Sequence, residues 1–133
     1  MTDTLKNFFR PSGVAIIGAS ANPTKLSHGV VKNLKEHGYR GGIYPINPKG
    51  REILGLPVYR SVLNAPDPLD LAVIMVPAPI VPTVVKECGE RGLQAVIVIS
   101  GGFREVGPRG KALEDQLRSI IQTYHMRLIG PNC

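Results

Sequence analysis

Residues 18–25, Gly-Ala-Ser-Ala-Asn-Pro-Thr-Lys, follow directly on the apolar run Val14–Ile17 and precede a helical pattern. Small residues at such a strand exit let an anion approach the backbone closely. Ser20 and Asn22 add side-chain donors and Lys25 adds charge. A helix beginning near Ser27 turns its free N–H groups to the same place. The helix dipole alone contributes only about 0.3–1 kcal/mol per charge, so the combination is what counts. Gly18, Ala19, Ser20, Ala21, Asn22, Pro23 and Lys25 are therefore candidate phosphate-binding residues. The stretch is neither G-x-G-x-x-G nor a Walker loop, which needs G-K-[ST]. A tight strand-to-helix turn with no ligand is the plainer alternative.

Three further loops carry similar chemistry. Residues 45–50, Pro-Ile-Asn-Pro-Lys-Gly, end a second apolar run. Dinucleotide-binding domains that take NAD place an acid there for the ribose 2′-hydroxyl. This chain has Asn47 and Lys49, with Arg51 just beyond. A cation at that place suits a phosphorylated ribose, either the 2′-phosphate of NADP or the 3′-phosphate of coenzyme A; a solvated lysine in a proline turn is the bland reading. Val76-Pro77-Ala78-Pro79 is a stiff exit with small side chains, suited to a wall against an adenine or a pantetheine arm, or simply a rigid turn. Ser100, Gly101 and Gly102, after Ile99, offer N–H groups in conformations that other residues avoid, or else form a flexible turn.

The elements that must hold these loops alternate. Residues 14–18, 41–47, 69–76, 95–100 and 127–130 read as strands, the first and third nearly continuous apolar runs, as expected of parallel strands buried on both faces. Residues 27–38, 80–92 and 108–125 have helical spacing, with Gly38 and Gly92 as stops and Pro108 in a first turn. The alternation predicts an α/β, Rossmann-like doubly wound parallel sheet of about five strands in a single domain. The expected strand order is 3-2-1-4-5, with ligand outside the carboxyl ends of the strands. No internal repeat or low-complexity linker interrupts the pattern.

Bulk composition bounds the function. The 133 residues are 43% hydrophobic and 20% charged, and the 16 Lys and Arg against 10 Asp and Glu give a net charge of +6. The excess is spread along the chain, so it points first to small anions, then to a surface facing another protein or domain, and last to nucleic acid. No Trp, three Phe and four Tyr are too few for a base-stacking platform. Cys88 and Cys133 fit no disulfide framework or zinc spacing, and no metal is expected. The run 71–85 is broken by prolines and will not span a bilayer as a helix, so no membrane partner and a cytoplasmic location are expected. His28, His37 and His125 read as residues at helix ends, His28 on the surface. No nucleophile–base pair or converging carboxylates can be read, so no catalytic residue is assigned.

The blocks "VAIIGASANPTKLSHGVVKNL", "IYPINPKG", "ILGLPVYRSV", "DLAVIMVPA", "VIVISGGFRE" and "RLIGPNC" together resemble the coenzyme-A-binding domain of NDP-forming acyl-CoA synthetases. That group includes ADP-forming acetate–CoA ligases, the alpha subunit of succinyl-CoA synthetase and some lysine acetyltransferases. The resemblance covers residues 8–133 in order. It implies that Gly18, Ser20, Ala21, Asn22 and Pro23, with Lys25 nearby, hold the phosphates of coenzyme A. Lys49 would match the basic residue near those phosphates. Ile99, Ser100 and Gly101 would contact the ligand, and Val76 and Pro77 would form its wall. It further implies that residues 1–133 are the N-terminal part of a longer synthetase, whose ligase and ATP-grasp parts supply the phosphorylated histidine and the phosphate. The chain alone is then expected to bind CoA or acyl-CoA and to be inactive. A free-standing CoA-binding regulatory module and an NADP-binding oxidoreductase domain are the alternatives.

Overall fold

The computed structural model describes residues 4–99 and 107–130. A short helix α1 (Thr4–Phe9) precedes strand β1 (Gly13–Ile17), helix α2 (Leu26–Glu36) and strand β2 (Gly42–Ile46). A hairpin, β3 (Glu52–Ile53) and β4 (Leu56–Pro57), and a 3₁₀ turn at Val62–Asn64 lead to β5 (Leu71–Ile74). A second 3₁₀ turn, Ala78–Ile80, runs into α3 (Val81–Glu90), followed by β6 (Ala95–Val98), α4 (Pro108–Thr123) and β7 (Arg127–Ile129).

Five strands form one parallel sheet in the order β2-β1-β5-β6-β7. The doubly wound parallel architecture is as the sequence pattern predicts, but the order is not. Counting sheet strands alone it is 2-1-3-4-5, not 3-2-1-4-5. The cause lies beside β2. Tyr59 donates its N–H to the Pro45 carbonyl at 3.0 Å and accepts from the Asn47 N–H at 2.9 Å. This stretch occupies the outer edge of β2, where a third strand would otherwise pair. The β3–β4 hairpin folds back over the α2 face, and the chain returns to place β5 on the inner side of β1. The hairpin turns at Leu54 and Gly55, with φ of 52° and 81°, the pair of positive values that a type I′ turn requires.

Alternate residues of each strand face opposite layers. Ala15, Ile17, Ile46, Ala72, Ile74, Val96 and Val98 pack against Val81, Val84, Val85 and Cys88 of α3 and Leu117 of α4. Val14, Ile16, Leu71, Val73 and Ala95 pack against Val31 of α2, Ile53 of the hairpin and Phe8 of α1. The buried positions 81, 84, 85 and 88 are the i, i+3, i+4, i+7 stripe of an amphipathic helix. Helix α2 stops at His37, its C-cap, whose N–H bonds to the Asn33 carbonyl, and Gly38 follows at φ 82°. At the amino end of the sheet the Asp70 carboxylate accepts the backbone N–H groups of Ser12 (3.0 Å) and Gly13 (3.2 Å), tying the start of β1 to that of β5.

Candidate functional site

A 2-1-3-4-5 order puts the switch point between β1 and β5, because the chain leaves β1 toward β2 on one side and toward β5 on the other. Gly18 directly follows β1 there, with φ 93°. A Cβ on it would stand 2.3 Å from the Met75 carbonyl oxygen. Only glycine allows the two strand exits to lie this close.

Two hollows open at this edge and share Met75, Val76 and Pro77. The smaller, about 270 Å³, lies on the α2 side and is lined also by Leu26, Ser27, Ala78 and Ile99. The larger, about 530 Å³, lies on the α3 side. Its walls include Ile17, Ile46, Ile80 and Val84, and its polar residues are Asn47, Arg60, Ser61, Thr83 and Glu87.

The loop after β1 is held by its own side chains. Ser20 Oγ accepts the Asn22 N–H at 3.0 Å, and Asn22 Oδ1 accepts from the Thr24 N–H at 3.0 Å and the Thr24 hydroxyl at 2.8 Å. Ser20 and Asn22 thus spend acceptors on the turn, and among the described residues the Ser20 O–H and the Asn22 Nδ2 remain as donors without a partner. Ala19 is buried, whereas Ala21, Asn22, Pro23 and Lys25 are exposed. Lys25 is the N-cap of α2 and places no side-chain acceptor over the helix end. Among the described residues the N–H groups of Leu26 and Ser27 have no hydrogen-bond partner, as the first turn of an uncapped helix leaves them.

His28 corrects the sequence reading. It is buried, and its Nδ1 lies 2.8 Å from the Ser20 carbonyl oxygen. A carbonyl only accepts, so Nδ1 carries the proton and donates it. The ring clamps the loop from below; it is not a surface residue.

Asn47 also faces inward. Its Nδ2 donates to the Ala19 carbonyl at 2.9 Å, and its Oδ1 accepts the Lys49 N–H at 2.8 Å. The Gly18 and Ala19 N–H groups bond to the Ile46 carbonyl at 2.9 and 3.2 Å. These bonds tie the exits of β1 and β2 together. Lys49 is exposed and lines neither hollow. Of the residues singled out in the sequence, Ile99 lines the smaller hollow, Gly18 and Asn47 the larger, and Val76 and Pro77 both; Ser100 and Gly101 lie outside the described residues. Sequence reasoning missed Arg60, Ser61, Thr83 and Glu87. Thr83 and Glu87 sit i, i+4 on α3, beside its apolar stripe, a spacing visible in the sequence but identical to that of a solvated helix face. Among the described residues no cluster of His, Cys, Asp and Glu could hold a metal ion, and no helix is long and apolar enough to cross a membrane.

Residues 12–133 match the CoA-binding domain family over nearly their whole length. The chain belongs to that family. This CoA-binding domain is 50% identical over 133 residues to the alpha subunit of an ADP-forming acetate–CoA ligase (I) of Pyrococcus furiosus, covering 97% of this chain and 29% of the relative. It is 45% identical over 129 residues to an ADP-forming acetate–CoA ligase (I) of Archaeoglobus fulgidus, covering 97% of this chain and 18% of that protein. Among solved structures, a dinucleotide-forming acetyl-coenzyme A synthetase of Ca. Korarchaeum cryptofilum, in complex with phosphate and ADP, superposes with a TM-score of 0.90 at 41% identity, over 96% of this chain and 27% of that one. The CoA-binding domain described here thus spans less than a third of the length of these relatives.

Proposed function

We propose that this domain binds coenzyme A across the β1/β5 crevice, with the phosphates against the 18–25 loop and the start of α2 and the adenosine end in the larger hollow. The observation that carries the reading is the pairing of two unlike sites at one sheet edge. One side offers two unpartnered helix N–H groups beside Ser20, Asn22 and Lys25, which suits a pyrophosphate. The other is a mostly apolar hollow of about 530 Å³, within the range of small-molecule sites. The residues present therefore fit the ligand that the family implies.

Coenzyme A supplies the thiol that becomes the acyl thioester. This chain's residues bind and orient it. We propose further that the domain serves an ADP-forming acid–CoA ligase, holding the thiol toward separate ligase and ATP-grasp parts. Its own histidines suit structural roles: His28 is committed to the Ser20 carbonyl, His37 caps α2, and His125 follows the end of α4 at φ 54°.

Calorimetric titration of the 133-residue chain with CoA, and in parallel with NADP(H), tests the reading. Saturable CoA binding with none for NADP(H) is expected. NADP(H) binding that CoA fails to displace would replace it with the oxidoreductase reading.

A further inference from the structure

The larger hollow contains one carboxylate, and among the described residues one of its oxygens is left without a partner. Glu87 lies on α3, half-buried and lining that hollow. Its Oε1 accepts the Ser61 hydroxyl proton at 3.1 Å. Ser61 Oγ in turn accepts the Leu63 N–H at 3.1 Å as the N-cap of the Val62–Asn64 turn. An ionised carboxylate only accepts, so the hydroxyl donates its proton to Glu87 and restrains that oxygen while its own oxygen takes the Leu63 N–H. Among the described residues Oε2 has no hydrogen bond, and Glu87 forms no ion pair.

Glu87 is the only anionic side chain among the described residues lining the hollow. Asn47 already donates to the Ala19 carbonyl and accepts the Lys49 N–H, the Thr83 hydroxyl is neutral, and Arg60 only donates. Helix α3 starts at the carboxyl edge of the sheet and runs back along it. Glu87 therefore lies roughly 10 Å further from the carboxyl edge of the sheet than Ile80, at 1.5 Å per residue. The walls between are apolar: Ile46, Val76, Pro77 and Val84. A flat ring in this hollow lies between apolar faces, with the Glu87 carboxylate at one end. Such an end accepts a donor edge and repels a carbonyl.

We infer that Glu87, oriented by Ser61, reads the base of the bound nucleotide by accepting a hydrogen bond from an exocyclic amino group, that of adenine if the ligand is coenzyme A. The inference rests on the CoA reading for the identity of the ligand. It adds a specificity-determining residue on α3 that neither the loop motifs nor the strand exits contain.

The test compares CoA with 1,N6-etheno-CoA, whose fused ring removes both N6 protons and caps N1 while leaving the ribose, phosphates and pantetheine arm intact, so that the Glu87 variants separate the loss of the amino group from the added ring. Dissociation constants are measured for the wild-type chain, for Glu87→Leu and for Ser61→Ala, with thermal melting to confirm that each variant folds. Wild type should bind CoA about tenfold or more tightly than etheno-CoA, the size of a hydrogen bond to a charged group. That preference should shrink about tenfold in Glu87→Leu, and partly in Ser61→Ala, where the carboxylate keeps its charge and loses its orientation. If Glu87→Leu does not fold, Glu87→Gln, which keeps one acceptor and loses the charge, should reduce the preference several-fold. Equal affinity of wild type for the two ligands overturns the inference and leaves CoA binding standing, as does an unchanged preference in the folded Glu87 variants. Failure of wild type to bind either ligand overturns the CoA reading itself, and this inference with it.

Discussion

At the residue scale, the cations and the glycine at the crevice make separable predictions. Lys49 projects from the β2 exit with its backbone fixed by Asn47 Oδ1 at 2.8 Å and its side chain in solvent. If it meets the 3′-phosphate, Lys49→Ala should weaken CoA by about 1.5–3 kcal/mol, the scale of a charge-assisted hydrogen bond, and dephospho-CoA far less. Equal losses for the two ligands in calorimetry would place Lys49 at the pyrophosphate or off the site. Gly18 carries a different load. Gly18→Ala combines φ 93° with a Cβ 2.3 Å from the Met75 carbonyl, so the exits of β1 and β5 must separate. A loss of about 1–3 kcal/mol in chemical denaturation is expected, together with weaker CoA binding. A variant as stable as wild type would mean that the crevice tolerates widening.

At the scale of elements, two side-chain clips hold β1 at opposite ends, and they should report different things. Asn47 joins the β2 exit to the ligand loop through the Ala19 carbonyl. Asp70 joins the strand starts through the Ser12 and Gly13 N–H groups. Either change to alanine leaves backbone groups without partners and should cost about 1–3 kcal/mol of stability. Only Asn47→Ala should also reduce CoA affinity, because Asp70 stands at the far edge of the sheet. Equal effects on affinity would show that the loop senses the whole strand and not its local clip. The strands and longer helices were legible from apolar runs and helical stripes such as Val81, Val84, Val85 and Cys88. Helix α1 and the β3–β4 hairpin were not, since six residues and two pairs of residues carry too little periodicity to register.

For the whole molecule, the core predicts how stability responds to alkali. Burial pushes the Cys88 thiol far above its ordinary 9.0. Below that range the thiol is neutral in both states. As pH rises past it, the unfolded chain ionises while the folded one keeps its proton, so stability falls by up to about 1.4 kcal/mol per pH unit. Tyr44, raised chiefly by burial and then by Tyr59, adds to the fall above pH about 10. Thermal melts from pH 8 to 10 should show this decline in wild type. Cys88→Ala should be less stable at pH 8, because of the cavity it leaves, and should lose less on going to pH 10. A parallel decline in both would place the alkaline sensitivity elsewhere. The amino-acid sequence by itself determined the alternation of strand and helix, the loops at the carboxyl edge and the resemblance to a CoA-binding domain, because these are written in contiguous residues: apolar runs, small-residue exits and helix stops. Only the tertiary structure decided the strand order, the inward turn of His28 and Asn47, and the meeting of Ser61 with Glu87. Each depends on a long-range partner, whether Tyr59 at the β2 edge, the Ser20 and Ala19 carbonyls, or a helix 26 residues further along the chain, and local pattern holds no record of which distant groups will meet.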